Sequence, residues 1–122
     1  MVTAVTSFGR SGLYDWLIQR ISAVVLALYT LFIVAYLIAN PGLTYEQWAG
    51  LYDQLWMRIF SLVTLLSIIA HAWIGLWSVL TDYLTYRAIG SKAVVARIVA
   101  QVFLGAVAIV YTVWGVEILW GL

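Results

Sequence analysis

The sequence predicts an all-α integral membrane protein with three transmembrane helices and a short interfacial helix before the second. Of its 122 residues, 66% are hydrophobic and 9% are charged, whereas a soluble domain carries about 25% charged residues. About 20 apolar residues, rising about 1.5 Å each, cross a hydrocarbon core of about 30 Å. The charges leave three uncharged stretches of 25, 23 and 19 residues, which run from Arg20 to Glu46, from Arg58 to Asp82 and from Arg97 to Glu117.

The first span is predicted at about residues 21–39. The segment before it begins as an amphipathic helix in which Tyr14 and Trp16 suit the headgroup layer. No small-residue cleavage site follows the span, so we expect it to stay in the mature protein rather than act as a signal peptide. Arg20 has two interpretations: an interface anchor that reaches the headgroups, or a cation for an anionic group such as a cofactor carboxylate.

A turn and a short helix are predicted between the first two spans. The turn is signalled by Asn40-Pro-Gly42, and Thr44 with Gln47 three residues later forms a capping box. Aromatic and apolar side chains then recur at helical spacing, which predicts a helix lying in the outer interface before a second span at about residues 59–80.

The second span carries its small and polar residues on one face. In lipid such residues face the protein interior or a partner, and small ones allow a close approach. A titratable imidazole near the middle of a span is costly and by default indicates a functional site. We call this face the polar stripe; its members, at steps of 3, 4, 4, 3 and 4, are Thr64, Ser67, His71, Gly75, Ser78 and Asp82.

His71 is the only histidine, and three roles suit it. It can ligate haem iron, relay protons, or form a hydrogen bond between helices. Gly75, one turn away, leaves room for a porphyrin face. A haem with two protein ligands would need a second chain, because Met57 lies far from His71 along the span. The absence of cysteine excludes disulfides and thiolate-bound iron–sulfur clusters in this chain.

Asp82 and Tyr83 follow His71 by about 16 to 18 Å along the helix, which places them at the rim of the membrane. A phenolic hydroxyl can donate to a carbonyl oxygen and a carboxyl group can organise protons, so the pair suits a quinone headgroup. The alternatives are an aromatic-belt role for Tyr83 and a helix-end charge for Asp82, paired with Arg87 or Lys92.

The third span is predicted at about residues 93–120, after a connection in which Gly90-Ser91 provides a turn and a cap. Its small residues also share one face, which indicates helix packing. We find no repeat and treat residues 1–122 as one domain. The basic residues between 87 and 97 follow from topology and imply no nucleic acid. The small-residue face consists of Gln101, Gly105, Ala108, Thr112 and Gly115.

Orientation is predicted from the basic residues. Five of the six lie in the N-terminal segment or the second connection, and Arg58 is the exception. We therefore expect the N-terminus and second connection in the cytoplasm and the C-terminus outside.

The stretch His71-Ala-Trp-Ile-Gly-Leu-Trp-Ser-Val-Leu-Thr-Asp-Tyr83 resembles the signature of the small membrane-anchor subunit of succinate dehydrogenase, respiratory complex II, in its proteobacterial form. Phe8-Gly-Arg-Ser-Gly12, the segment through Arg20, and Leu43-Thr-Tyr-Glu46 are also similar to that family. The resemblance covers essentially the whole chain. It departs at Tyr14, where the family often has histidine.

The resemblance implies haem b shared with a second, larger cytochrome b anchor subunit, with His71 as one axial ligand to the iron. It implies that Tyr83 hydrogen-bonds ubiquinone beside Asp82, and that Arg20 lies near the haem propionates.

A flavoprotein and an iron–sulfur subunit would complete the complex, which works in the tricarboxylic acid cycle and respiratory chain at the bacterial inner membrane. FAD and iron–sulfur clusters would belong to those subunits, and this chain would catalyse nothing alone. The alternatives are the anchor of a quinol:fumarate reductase and a small non-redox transporter or channel subunit.

Overall fold

The computed structural model describes residues 12–121, which form helices and contain no strand. Three helices are long and apolar enough to cross a membrane, so the predicted all-α fold with three spans is confirmed. Residues 1–11, with Arg10 and most of the Phe8–Gly12 resemblance, lie outside the described residues. In chain order the helices are α1 (Gly12–Ala39), α2 (Tyr45–Tyr52), α3 (Leu55–Tyr83), α4 (Tyr86–Ile89) and α5 (Lys92–Trp120).

The long helices extend beyond the predicted apolar spans. Helix α1 begins at Gly12 rather than near residue 21, because the amphipathic segment before Arg20 continues the same helix. Helix α3 likewise starts before residue 59 and ends after residue 80. A span predicted from apolar residues marks only the part of a helix that suits hydrocarbon, whereas the helix itself continues into the interface.

Helix α3 packs against both other long helices. Its most extensive contacts are with α1, followed by those with α5. The polar contacts run antiparallel, since Ser22 and Tyr29 of α1 meet His71 and Ser61 of α3. The N-termini of α1 and α5 therefore share one end of the bundle with the last turn of α3, and we call this the α4 end. The opposite end holds α2.

Large apolar side chains lie exposed along all three long helices. The residues buried within the chain are few, and Met57 is the large side chain with 0% exposure. A contiguous apolar exterior is unfavourable in water. Lipid or further protein must therefore cover these helices.

The predicted capping box is present at the start of α2. Gln47 N donates to Thr44 Oγ1, and Thr44 N donates to the Gln47 side chain. Near its other end, Tyr52 joins Tyr29 and Ser61 in a cluster of hydroxyl groups, with O–O distances of 2.8 Å. Burial and the hydrogen bond with Tyr29 raise the pKa of Tyr52 above its usual range.

Arg58 fixes the corner between α2 and α3. Its Nε donates to the Tyr52 carbonyl at 2.9 Å, and its guanidinium lies 3.6 Å from the Asp53 carboxylate. The cation therefore satisfies a carbonyl at the end of α2, where the helix dipole favours positive charge.

The connection at the α4 end contains a helix that the sequence did not predict. Thr85 caps it by accepting from Ala88 N. Gly90 then turns the chain with φ +70°, as expected for a turn glycine. Ser91 occupies the N-cap of α5, but it has helical dihedral angles and its side chain makes no capping hydrogen bond.

Candidate functional site

His71 lies half-buried where α3 contacts α1. Its Nδ1 is 3.0 Å from Ser22 Oγ, and Ser22 is 3% exposed. Within the described residues, Nε2 of His71 makes no hydrogen bond. A partly exposed ring nitrogen without a partner can bind a ligand from outside the chain, whereas the other ring nitrogen is held by the protein.

Gly75 faces α1 of the same chain. We expected it to leave room for a flat ligand, but a Cβ added there would lie 3.5 Å from Gln19 Nε2 of α1. The polar stripe therefore meets α1 of the same chain around His71. The side-chain oxygen of Gln19 is buried and lacks a hydrogen-bond partner within residues 12–121. Buried polar atoms are normally paired, so this oxygen is an unsatisfied acceptor in the contact region.

Asp82 and Tyr83 end α3 and are exposed, Tyr83 by 73%. No ion pair joins Asp82 to Arg87 or Lys92 in the part of the chain that the structure describes. The ion pair considered as an alternative role for the Asp82 carboxylate is therefore not formed among these residues. Both side chains are accessible at the α4 end to another protein, lipid or a membrane-soluble ligand.

The last turn of α3 is held by α5. Arg97 Nε donates to the Leu84 carbonyl at 2.8 Å, and Leu84 N donates to Leu80 O. Leu84 directly follows Tyr83, so Arg97 fixes the backbone from which the tyrosine projects. Its charge also suits the negative end of the α3 dipole.

Arg20 does not meet His71 within this chain. Its guanidinium lies 5.6 Å from the centroid of the Trp16 ring. Arg20 precedes Ser22 by two positions, which places their side chains about 200° apart around α1. Arg20 and Ser22 therefore project from nearly opposite faces, at a similar depth along the helix. The contact with Trp16 suits an interface anchor, and the exposed cation remains available to an anionic group.

The described part of the chain provides no complete metal site of its own. Residues 12–121 contain no group of three or more histidine, cysteine or acidic side chains that could hold a metal ion. A groove of about 250 Å³ lies between α1 and α3 beside Ser22, and Ser67 and Ala70 also line it. A single imidazole with a free nitrogen fits a metal whose remaining ligands come from a cofactor and a second chain.

Sequence reasoning missed Ser22, Gln19 and Arg97 as parts of these sites. The helical period shows which residues share a face of α3, but it does not give the register between α1 and α3. The register depends on the packing of the whole bundle. A serine among the apolar residues of the first span was the one available signal.

The fold and site define an integral membrane protein in which a half-buried imidazole of α3 contacts a serine of α1. A family model described as succinate dehydrogenase/fumarate reductase transmembrane subunit matches residues 3–113. The succinate dehydrogenase hydrophobic membrane anchor subunit of Coxiella burnetii (strain RSA 493 / Nine Mile phase I) is 35% identical over 111 residues, 91% of this chain and 90% of that protein. The chain belongs to the succinate dehydrogenase/fumarate reductase transmembrane subunit family, and its three apolar helices make it a multi-pass membrane protein.

Proposed function

We propose that the chain is the membrane-anchor subunit of a succinate:ubiquinone oxidoreductase and that His71 provides one axial ligand to haem b. The observation that supports this most is the imidazole itself: Nδ1 is held by Ser22, and Nε2 makes no hydrogen bond within residues 12–121. The relative's name supports succinate dehydrogenase over fumarate reductase.

In this function His71 binds and orients the cofactor from one side. The haem supplies a one-electron carrier within the membrane when it is bound. A second anchor subunit provides the other axial ligand, because this chain has one histidine and no cysteine. Arg20 serves the propionates from the rim of α1 when the cofactor is in place.

Tyr83 and Asp82 form part of the ubiquinone site at the α4 end. The Tyr83 hydroxyl donates a hydrogen bond to a quinone carbonyl, and Asp82 organises protons for reduction. Their exposure supports this assignment, because the remaining walls of such a site would come from an iron–sulfur subunit and the second anchor. A flavoprotein subunit completes the complex and oxidises succinate.

The proposed setting is the bacterial inner membrane. The N-terminus and α4 face the cytoplasm and the C-terminus faces the periplasm. The distribution of lysine and arginine supports this orientation, and the antiparallel packing places the N-terminus of α1 and the basic connection at the same end.

The first test is an optical spectrum of the complex purified with its partner subunits. We expect a haem b spectrum that His71→Ala removes or shifts while the complex still assembles. Ser78→Ala is the matched control, because within the described residues the Ser78 hydroxyl donates to Ile74 O of its own helix and to no other group. A wild-type spectrum in His71→Ala would refute the ligand assignment, and a colourless wild-type complex would favour a non-redox membrane subunit.

The second test separates quinone reduction from assembly. Tyr83→Phe keeps the ring but removes the donor, so ubiquinone reduction should fall while succinate still reduces a soluble artificial acceptor. Equal loss of both activities would indicate an assembly role for Tyr83. Comparing succinate oxidation with quinol-driven fumarate reduction in the wild-type complex distinguishes the two family activities.

A further inference from the structure

The Ser22 hydroxyl contacts two groups that can each accept a hydrogen bond. Its Oγ lies 3.1 Å from the backbone carbonyl oxygen of Gln19, one turn earlier in α1. The same Oγ lies 3.0 Å from Nδ1 of His71. The side chain is 3% exposed, so water does not compete at this position. The contact links α1 to the proposed haem ligand.

The geometry of this contact favours one tautomer of His71. A carbonyl oxygen has no proton and can only accept, so the hydroxyl proton of Ser22 belongs to the Gln19 contact. His71 must then donate from Nδ1 to Ser22 Oγ for both hydrogen bonds to form. If Ser22 donated to His71 instead, the Gln19 contact would have no proton and one hydrogen bond would be lost.

We propose that Ser22 is a positioning residue that holds His71 in the Nδ1–H tautomer and directs the lone pair of Nε2 toward the haem iron. The effect on the haem iron rests on the proposed function, whereas the tautomer of His71 depends on this chain alone. The proposed ligand on α3 is thus oriented by a residue of α1.

The hydrogen bond has two consequences for a bound haem. It fixes the rotation of the imidazole ring about its bond to Cβ, and it raises the basicity of Nε2 by polarising the Nδ1–H bond. A more basic axial ligand stabilises the oxidised iron. Loss of such an outer partner usually costs about 10- to 100-fold in metal affinity or activity.

Three substitutions separate the hydrogen bond from packing. Ser22→Ala removes the acceptor, whereas Ser22→Thr retains a hydroxyl. Ser67→Ala is the matched control, because Ser67 is also a serine lining the groove beside Ser22 and lies one helical turn before His71 on α3. If Ser22→Ala fails to insert, Ser22→Cys provides a weaker hydrogen-bonding group of similar size.

The first measurement needs no haem. The full chain, labelled with ¹⁵N-histidine and placed in lipid nanodiscs, gives the signals of one imidazole because His71 is the only histidine. We expect a protonated Nδ1 and an unprotonated Nε2 in wild type and Ser22→Thr, and a mixture of tautomers in Ser22→Ala. An Nε2–H tautomer in wild type, or an unchanged tautomer in Ser22→Ala, would overturn the proposal.

The second measurement uses the assembled complex. Ser22→Ala should raise the haem midpoint potential, broaden the electron paramagnetic resonance signal of the oxidised haem and speed haem loss about 10-fold. Ser22→Thr and Ser67→Ala should match wild type, and Ser22→Cys should fall between. Haem present with an unchanged potential and signal in Ser22→Ala would refute the positioning role. A complex without haem would refute the proposed function alone, because the tautomer measurement stands independently.

Discussion

Substitution of Tyr29 by phenylalanine tests how the hydroxyl cluster at the α2 end holds the bundle. The Tyr29 hydroxyl is the centre of the cluster, at 2.8 Å from both Tyr52 and Ser61. Its ring also packs edge-on against Phe60 with centroids 5.0 Å apart. Tyr29→Phe keeps this ring contact and removes both hydrogen bonds.

The expected loss of stability follows from the number of hydrogen bonds that each substitution removes. Side-chain hydrogen bonds inside membrane proteins contribute about 0.6 kcal/mol on average. Tyr29→Phe should therefore lower the free energy of unfolding by about 1.2 kcal/mol, whereas Tyr52→Phe or Ser61→Ala should lower it by about 0.6 kcal/mol. The double variant Tyr29→Phe/Ser61→Ala should cost no more than Tyr29→Phe alone, which gives a coupling of about 0.6 kcal/mol.

The assay is reversible unfolding in mixed micelles, followed by helical circular dichroism. Equal costs for Tyr29→Phe and Tyr52→Phe, or additive effects in the double variant, would refute the assignment of Tyr29 as the shared partner. Ser61 precedes His71 by ten residues, or about 15 Å along α3. The haem spectrum of the assembled complex should therefore stay unchanged, which separates this region from the His71 site.

Three further predictions concern helix packing, capping and pH. Gly115→Ala should cost about 1 kcal/mol in the same unfolding assay, because the added Cβ would clash with Leu65; Gly105→Ala, where the new contact is an ordinary one, should be close to neutral. Thr44→Ala should weaken α2 by about 1 kcal/mol and speed amide exchange in its first turn, because it removes the cap. Burial raises the pKa of Tyr52 above its unfolded value. The stability that depends on a protonated Tyr52 hydroxyl is therefore fully present below about pH 10, and it is lost as the pH rises further. Tyr52→Phe should flatten the alkaline decline.

Much of the fold could be predicted because charge and capping act locally. The uncharged stretches located the spans, and the pair Thr44 and Gln47 located α2. Helix α4 was missed, although Thr85 provides its cap, because one short turn gives no periodic signal. Ser91 was expected to cap α5, yet its helical dihedral angles turn its side chain away from that role.

The site could be predicted only in part, since a helical period identifies faces and not their partners. The spacing correctly placed His71 and Gly75 on one face of α3. It did not show that this face meets Ser22 and Gln19, because the register between helices comes from packing along their whole length. Functional residues on a single helix are therefore visible in the sequence, whereas the residues that orient them are not.

Any metal bound by His71 would need ligands from beyond the described part of this chain. Nδ1 of His71 is held by α1, which leaves Nε2 as the one ring nitrogen of the only histidine that can bind a ligand. Met57 cannot supply a second ligand, because it is fully buried and lies 14 residues, or about 21 Å, before His71 along α3. The long apolar helices are also exposed and need cover. A partner that covered them could bring the missing ligand to the free nitrogen, so assembly and cofactor binding would be coupled: each would stabilise the other by mass action.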